Sequence, residues 1–104
     1  MTIQFNTDHN IKGLESLEAK MNAIITDEMS RFSDQITRIE VFLSDENGHK
    51  KGQNDKKCIL EARLEGMQPL AVSDHANNHE VAVKGALVKL KAVIERKFGQ
   101  LKSH

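Results

Sequence analysis

Two histidines four residues apart, His75 and His79, would lie on one side of a helix, which is the arrangement of a zinc-binding pair. No third ligand and no general-base glutamate stands at a suitable spacing from them. Asn77 and Asn78 lie between the two histidines and interrupt helical geometry. We therefore expect two ordinary exposed histidines and no bound metal.

A polar, glycine-containing stretch carries further groups that could act as acids, bases or cation ligands: Asp45, Glu46, His49 and Asp55. Catalysis needs such groups to be held in register by packing, and a flexible loop does not supply that. Cys58 alternates with predicted core positions and has no evident histidine partner, so we predict a buried, inert thiol. The sequence also lacks a glycine-rich phosphate loop and a nucleophile elbow. No enzyme activity, cofactor or small-molecule substrate is predicted.

Basic side chains dominate the C-terminal part of the sequence, where six of them accompany two acids, Glu80 and Glu95. We name these six the cationic ridge: Lys84, Lys89, Lys91, Arg96, Lys97 and Lys102. At helical spacing Lys84, Lys91 and Lys102 border an apolar stripe, whereas Lys89 and Arg96 lie on the outer face of the helix. Such a ridge could neutralise the phosphates of a nucleic acid. A solvated helix face is the alternative interpretation. Phe98 is the only aromatic residue near the ridge, which disfavours recognition by base stacking.

Hydrophobic periodicity predicts the elements that position these groups. Ile3 and Phe5 alternate with polar residues, as in a half-buried strand. Apolar residues then recur at three- and four-residue steps and predict a first helix through Leu14, Leu17, Met21, Ile24, Ile25 and Phe32. A second helix opens at a capping box formed by Asn77 and Glu80. Its predicted core stripe is Val83, Leu87, Leu90, Ile94, Phe98 and Leu101.

Three further strands are predicted between the two helices. The first has the core positions Ile39, Val41 and Leu43. After an exposed hairpin loop over residues 46–57, the next has the core positions Cys58, Leu60, Ala62 and Leu64. The last is a short strand at Leu70 and Val72, which we place at the sheet edge because Pro69 precedes it.

The predicted order βαβββα indicates an α+β fold, in which a four-stranded mixed sheet carries both helices on one face. The 104 residues suit a single domain, 1–104. Because 15 basic and 15 acidic residues cancel, a strongly basic nucleic-acid binder is excluded and any basic surface is local. One cysteine, no secretory signal and no apolar run of transmembrane length indicate a soluble, cytoplasmic protein.

The predicted element order, the segment Ile36–Leu43 and the last helix carry a family resemblance. In the last helix the matching positions are Ala82, Lys89, Leu90, Ile94, Leu101 and Lys102. On these residues the chain resembles the ribosome hibernation-promoting factor and ribosome-associated inhibitor family. Within that family it is similar to the short forms that lack a C-terminal dimerisation domain.

The resemblance implies a protein that docks on the small ribosomal subunit, in the channel used by messenger and transfer RNA, and holds idle ribosomes inactive. Its contacts would be mainly to rRNA phosphates. Lys89 matches the basic position that the family has before leucine, and Arg96 lies where the family usually has lysine. With the neighbouring lysines, the candidate rRNA-binding residues are Lys84, Lys89, Lys91, Arg96 and Lys97.

A protein-interaction module on the same fold, without ribosome binding, is the alternative hypothesis. The zero net charge favours it, as does Ala92, which stands where the family normally has arginine. The first helix also carries Asp27 and Glu28 where lysines are common in the family. Such a module would bind a partner protein through the open sheet face or the exposed hairpin.

Overall fold

The computed structural model describes residues 1–7, 13–46 and 55–102, and side chains up to residue 99. Its elements follow one another in the predicted order. The strands are β1 (Thr2–Phe5), β2 (Ile36–Asp45), β3 (Lys56–Leu64) and β4 (Leu70–Ala76). The helices are α1 (Leu14–Glu28) and α2 (His79–Lys102), and a short 3-10 turn (Ser30–Phe32) follows α1.

The four strands form one mixed sheet in the spatial order β1-β2-β3-β4. β1 pairs with β2 in parallel, because α1 carries the chain back to the starting end of the sheet between them. β2, β3 and β4 form an antiparallel meander. The predicted mixed sheet and the edge position of β4 are therefore confirmed.

One face of the sheet is buried beneath both helices. The alternating residues of β2 and β3 that point to this face are almost fully buried, among them Ile39, Val41, Leu43, Cys58, Leu60 and Ala62. Residues of both helices complete this core, chiefly Met21, Ile25, Val83, Leu87, Leu90 and Ile94. The opposite sheet face stays open, and Phe42 on it is 36% exposed. The predicted α+β arrangement is confirmed.

Both helices differ from the prediction at their ends. α1 ends at Glu28, so Phe32 belongs to the 3-10 turn instead of the helix, although its ring still reaches the core at 7% exposure. The Ser30 hydroxyl donates to the Asp27 carbonyl at 3.0 Å, a local hydrogen bond that competes with the helical pattern. The N-cap of α2 is Asn78, one residue later than the predicted Asn77, and its Oδ1 accepts the Val81 N–H at 2.8 Å.

Charged side chains lie at the loop end of the β2–β3 hairpin, where Asp45 and Lys56 form the last strand pair. Lys56 Nζ lies 2.8 Å from Asp45 Oδ2 and 3.1 Å from Asp55 Oδ2, and Asp55 is only 6% exposed. A buried carboxylate requires such a partner, since an uncompensated buried charge is strongly destabilising. β3 therefore begins at Lys56, within the stretch predicted as a loop. The rest of that predicted loop, residues 47–54 with His49, lies outside the described residues.

Neither helix that the structure describes is long and apolar enough to cross a membrane. α2 is the longer one, and charged residues interrupt its apolar positions throughout. Its buried side instead packs on β3 and β4, and the small side chains of Ala82 and Ala86 bring the helix close to the sheet.

Replacing Asn78 with alanine is expected to lower the free energy of unfolding by about 1 kcal/mol, because the Val81 N–H loses its acceptor. Asn78→Asp is the matched control and should cost far less, since its carboxylate oxygen can still accept the Val81 N–H. Urea denaturation followed by circular dichroism measures both variants. Equal losses in the two would show that Asn78 does not act as a cap.

Burial and, to a smaller extent, the neighbouring Asp74 carboxylate raise the pKa of the Cys58 thiol to about 12. Because the thiolate is the reactive form, a disulfide reagent at about pH 8 should modify Cys58 roughly a thousandfold more slowly in native protein than in unfolded protein. Stability should also fall as the pH rises above 9.0, the ordinary pKa, since only the unfolded chain then releases the thiol proton. Equal thiol reactivity in native and unfolded protein would contradict this burial.

Candidate functional site

α1 and α2 lie side by side on the sheet, and cavities follow the line along which they meet. A cavity of about 410 Å³ lies between Lys20 and the first turn of α2, and one of about 130 Å³ lies between Glu28 and Lys91. A third, of about 400 Å³, lies between the 3-10 turn and the C-terminal part of α2. Residue numbers rise together along both sides, so the two helices run in the same direction. We name this feature the interhelical groove, with the charged residues Lys20, Glu28, Arg31, Glu80, Lys84, Lys91 and Glu95.

Three ion pairs cross the interhelical groove and connect its two walls. Lys20 pairs with Glu80, Arg31 pairs with Glu95, and Lys91 Nζ lies 2.5 Å from Glu28 Oε2. Lys84 Nζ also lies 3.2 Å from Glu80 Oε2, one turn along α2. The groove thus holds four cations and three carboxylates, and most of its positive charge is paired.

The groove carboxylates are held in their ionised form by these partners. The hydrogen bond from Lys91 lowers the pKa of Glu28, and the hydrogen bonds from Lys20 and Lys84 lower the pKa of Glu80. Both acids therefore stay negative to a lower pH than a free glutamate.

The predicted rRNA-binding residues lie on two flanks of α2 instead of one continuous ridge. Lys84 and Lys91 line the interhelical groove. Lys89 lies on the other flank, where its Nζ donates to the Ser73 carbonyl at 2.8 Å and lies 3.3 Å from Asp74 Oδ1. A step of five residues from Lys84 to Lys89 turns a helix of about 3.6 residues per turn well past one full turn, which separates the flanks.

Lys89 fastens α2 to the edge strand β4, and Gly85 makes that contact possible. A Cβ at Gly85 would collide with the Asp74 carboxylate. The missing side chain lets Asp74 approach the helix, where Lys89 pairs with it. Lys89 therefore has a structural role whether or not it binds rRNA, a role that the sequence did not reveal.

Arg96 and Lys97 lie beyond the last ion pair of the groove, in the C-terminal part of α2. Both side chains are exposed, and neither forms an ion pair with any residue in the described part of the chain. Of the five predicted rRNA-binding residues, these two carry charge that no described residue neutralises. That they bind rRNA stays a prediction.

Two groove cations, Lys20 and Arg31, were not among the predicted site residues. Lys20 follows Leu17 by three residues and precedes Ile24 by four, so it borders the apolar stripe of α1. That spacing was the available signal, because a cation at the edge of a buried stripe lies beside whatever packs there. Arg31 had no such signal, since the 3-10 turn that positions it was not predicted.

The two histidines do not share a helical face. His75 lies on β4 with its Nε2 3.5 Å from Glu46 Oε1, whereas His79 is the first residue of α2. Among the described residues, no group of three or more His, Cys, Asp or Glu side chains is placed to hold a metal ion. The Nδ1 atom of His79 is buried and has no hydrogen-bond partner there. Burial, followed by the charge of Lys56, lowers the pKa of His79.

We expect a histidine pKa below the ordinary 6.5 for His79, because burial and Lys56 disfavour the imidazolium more than Asp45 and Asp55 favour it. Below pH 6.5 the unfolded chain then takes up a proton that the folded protein does not, so His79 lowers stability as the pH falls. An NMR titration of the ring protons measures the pKa, with His79→Gln assigning the signal. A His79 pKa at or above 6.5 would refute the expectation.

No protein-family model and no curated protein sequence matches this chain. Among solved structures, the chain is similar to a ribosomal subunit interface protein from Coxiella burnetii. The two are 16% identical in sequence and superpose with a TM-score of 0.71, over 95% of this chain and 99% of that chain. The two proteins therefore share a fold over nearly their whole length.

Proposed function

We propose that the protein is a cytoplasmic, ribosome-associated factor that binds rRNA of the small subunit and stabilises inactive ribosomes. One observation carries this proposal: the fold is shared, at a TM-score of 0.71, with a protein described as a ribosomal subunit interface protein. The binding surface in this proposal is the interhelical groove together with Arg96 and Lys97. No catalytic step, cofactor or small-molecule substrate is part of it.

The charge of the helical surface is suited to a phosphate backbone despite the neutral chain. The interhelical groove holds four cations against three carboxylates. Arg96 and Lys97, further along α2, add two exposed cations that form no ion pair with any described residue. The open sheet face has no comparable excess, since its Arg38 and Arg63 pair with Glu40 and Glu61. Any net attraction of a polyanion is therefore directed to the helices.

The ion pairs of the groove do not prevent phosphate binding. Exposed ion pairs are weak because water and salt screen them, so exchanging a carboxylate for a phosphate costs little. The Lys84 and Glu80 side chains are 57% and 33% exposed, which leaves room for that exchange. The pairs also keep the long lysine side chains extended over the groove, which reduces the entropy lost when a phosphate binds.

Lys89 can take part while it holds the sheet edge. Its ammonium group has three N–H donors, and two protein acceptors, Ser73 O and Asp74 Oδ1, lie within reach. The side chain is 54% exposed. One donor of Lys89 is thus open to a phosphate in this proposal.

A protein-interaction module on the same fold is the second candidate, and the pairing of the groove favours it. Glu28, Glu80 and Glu95 neutralise cations that an rRNA-binding surface would leave open. The open sheet face offers Phe42, 36% exposed, beside Ile59 as an apolar contact for a partner protein. Capture of a partner that survives ribonuclease and is lost in Phe42→Ser would support this candidate over ribosome binding.

Co-sedimentation of the purified protein with small ribosomal subunits at low and high salt tests the proposal. Binding is expected at low salt and release at high salt, because phosphate contacts displace counterions. Lys91→Gln should weaken binding and lower the slope of log affinity against log salt by about one. Free protein at every salt concentration would overturn the proposal.

Lys57→Gln is the matched control for Lys91→Gln. Both lysines are ion-paired and similarly exposed, at 30% for Lys57 and 26% for Lys91, but Lys57 lies on β3, away from the groove. Lys57→Gln should leave both the affinity and the salt slope unchanged. Equal weakening by the two variants would move the contact away from the interhelical groove.

A further inference from the structure

The cavity at the C-terminal end of the interhelical groove has a chemistry that the rest of the groove lacks. Its volume is about 400 Å³, within the roughly 300–1,000 Å³ range of small-molecule sites. Residues of the 3-10 turn and of the C-terminal part of α2 line it: Arg31, Phe32, Gln35, Glu95, Phe98 and Gly99. Two of the four phenylalanines of the chain therefore meet at one place.

One wall of this cavity is the guanidinium of Arg31, which two neighbouring side chains contact. The Arg31 guanidinium lies 4.6 Å from the centroid of the Phe32 ring, and the same group pairs with Glu95. Phe32 itself is 7% exposed, so its ring supports the guanidinium from the core side. A guanidinium plane fixed in this way is a stacking surface for a flat, electron-rich ring.

The remaining walls supply an aromatic face, a free amide and an opening. Phe98 is half-buried and lines the cavity. The Gln35 side chain is exposed and has no hydrogen-bond partner among the described residues, so its carboxamide can both donate and accept. Gly99 adds no side chain, and no atom lies within 4 Å of the place where a Cβ would be.

We propose that this cavity binds one unpaired base of an RNA, stacked on the Arg31 plane and the Phe98 ring with its edge toward Gln35. Arginine planes and aromatic rings are the surfaces on which proteins stack unpaired RNA bases. This inference rests on the proposed function and extends it from backbone contacts to a base contact.

The sequence disfavoured base stacking because Phe98 was the only aromatic residue near the basic side chains. In the folded protein a second aromatic residue lies near the basic side chains, because Phe32 and Arg31 from the first third of the chain line the same cavity as Phe98. Arg31 and Glu95 are 64 residues apart in sequence, so no local pattern indicated the contact.

Two short single-stranded RNAs test the proposal directly, one intact and one with a single internal base removed. Fluorescence anisotropy of a terminal dye measures the affinity of the full-length protein for each. The wild-type protein should bind the intact RNA on the order of tenfold more tightly, the effect typical of one stacked base. Equal affinity for both RNAs would overturn the proposal.

In Phe98→Leu the ratio of the two RNA affinities should fall toward one, because leucine keeps an apolar side chain but removes the aromatic ring. Phe42→Leu is the matched control on the open sheet face, where the ring is 36% exposed, and should keep the wild-type preference. Circular dichroism checks that each variant is folded. If Phe98→Leu does not fold, Gln35→Ala decides, because Gln35 is exposed: an unchanged preference in it would refute the proposed base contact.

The same protein preparations are sedimented with small ribosomal subunits, so that the two proposals fail separately. Base-dependent RNA binding without sedimentation would support the cavity and overturn the ribosome proposal. Sedimentation without any preference for the intact RNA would overturn the cavity and leave the ribosome proposal standing. Equal affinity for the two RNAs, together with displacement of both by an aromatic peptide, would assign the cavity to a protein ligand and also refute this inference.

Discussion

Burial of one sheet face beneath two parallel helices is the constraint on which the other features depend. β2 and β3 direct alternate apolar residues to that face. These side chains would be exposed to water unless both helices covered them. Covering it consumes the apolar stripes of α1 and α2 and places the flanking residues of both along one line. The interhelical groove, its ion pairs and the cavity at its end lie on the solvent side of this helix packing and arise from it.

The groove combines two properties that act in opposite directions. Lysine and arginine side chains on both walls suit a phosphate backbone, whereas Glu28, Glu80 and Glu95 offset them within the free protein. Because these pairs are exposed, they are weak and exchangeable, so a neutral resting surface is compatible with binding a strong polyanion. Arg96 and Lys97 are exposed and have no ion pair in the described chain.

The sequence was sufficient for the fold but only in part for the site. Period-two alternation at Ile39, Val41 and Leu43 and period-3.6 stripes in the helices reflect burial, and burial decides which elements pack. α1 ends and α2 begins at local hydrogen bonds of Ser30 and Asn78. Hydrophobic periodicity carries no information about such bonds. The cationic ridge was predicted from the spacing of residues along one helix. The ion pair of Lys89 with Asp74 depends on β4, which that spacing does not include. The meeting of Phe32 with Phe98 depends on tertiary contact alone.

Lysine acetylation of the free protein and of its complex with small ribosomal subunits, read by mass spectrometry, tests the central claim most directly. If the interhelical groove faces the ribosome, Lys20, Lys84 and Lys91 should become protected while Lys57 on the opposite sheet face keeps its reactivity. Protection of Lys57 with unchanged reactivity of the groove lysines would contradict the account, because the sheet face would then be the side that meets the partner.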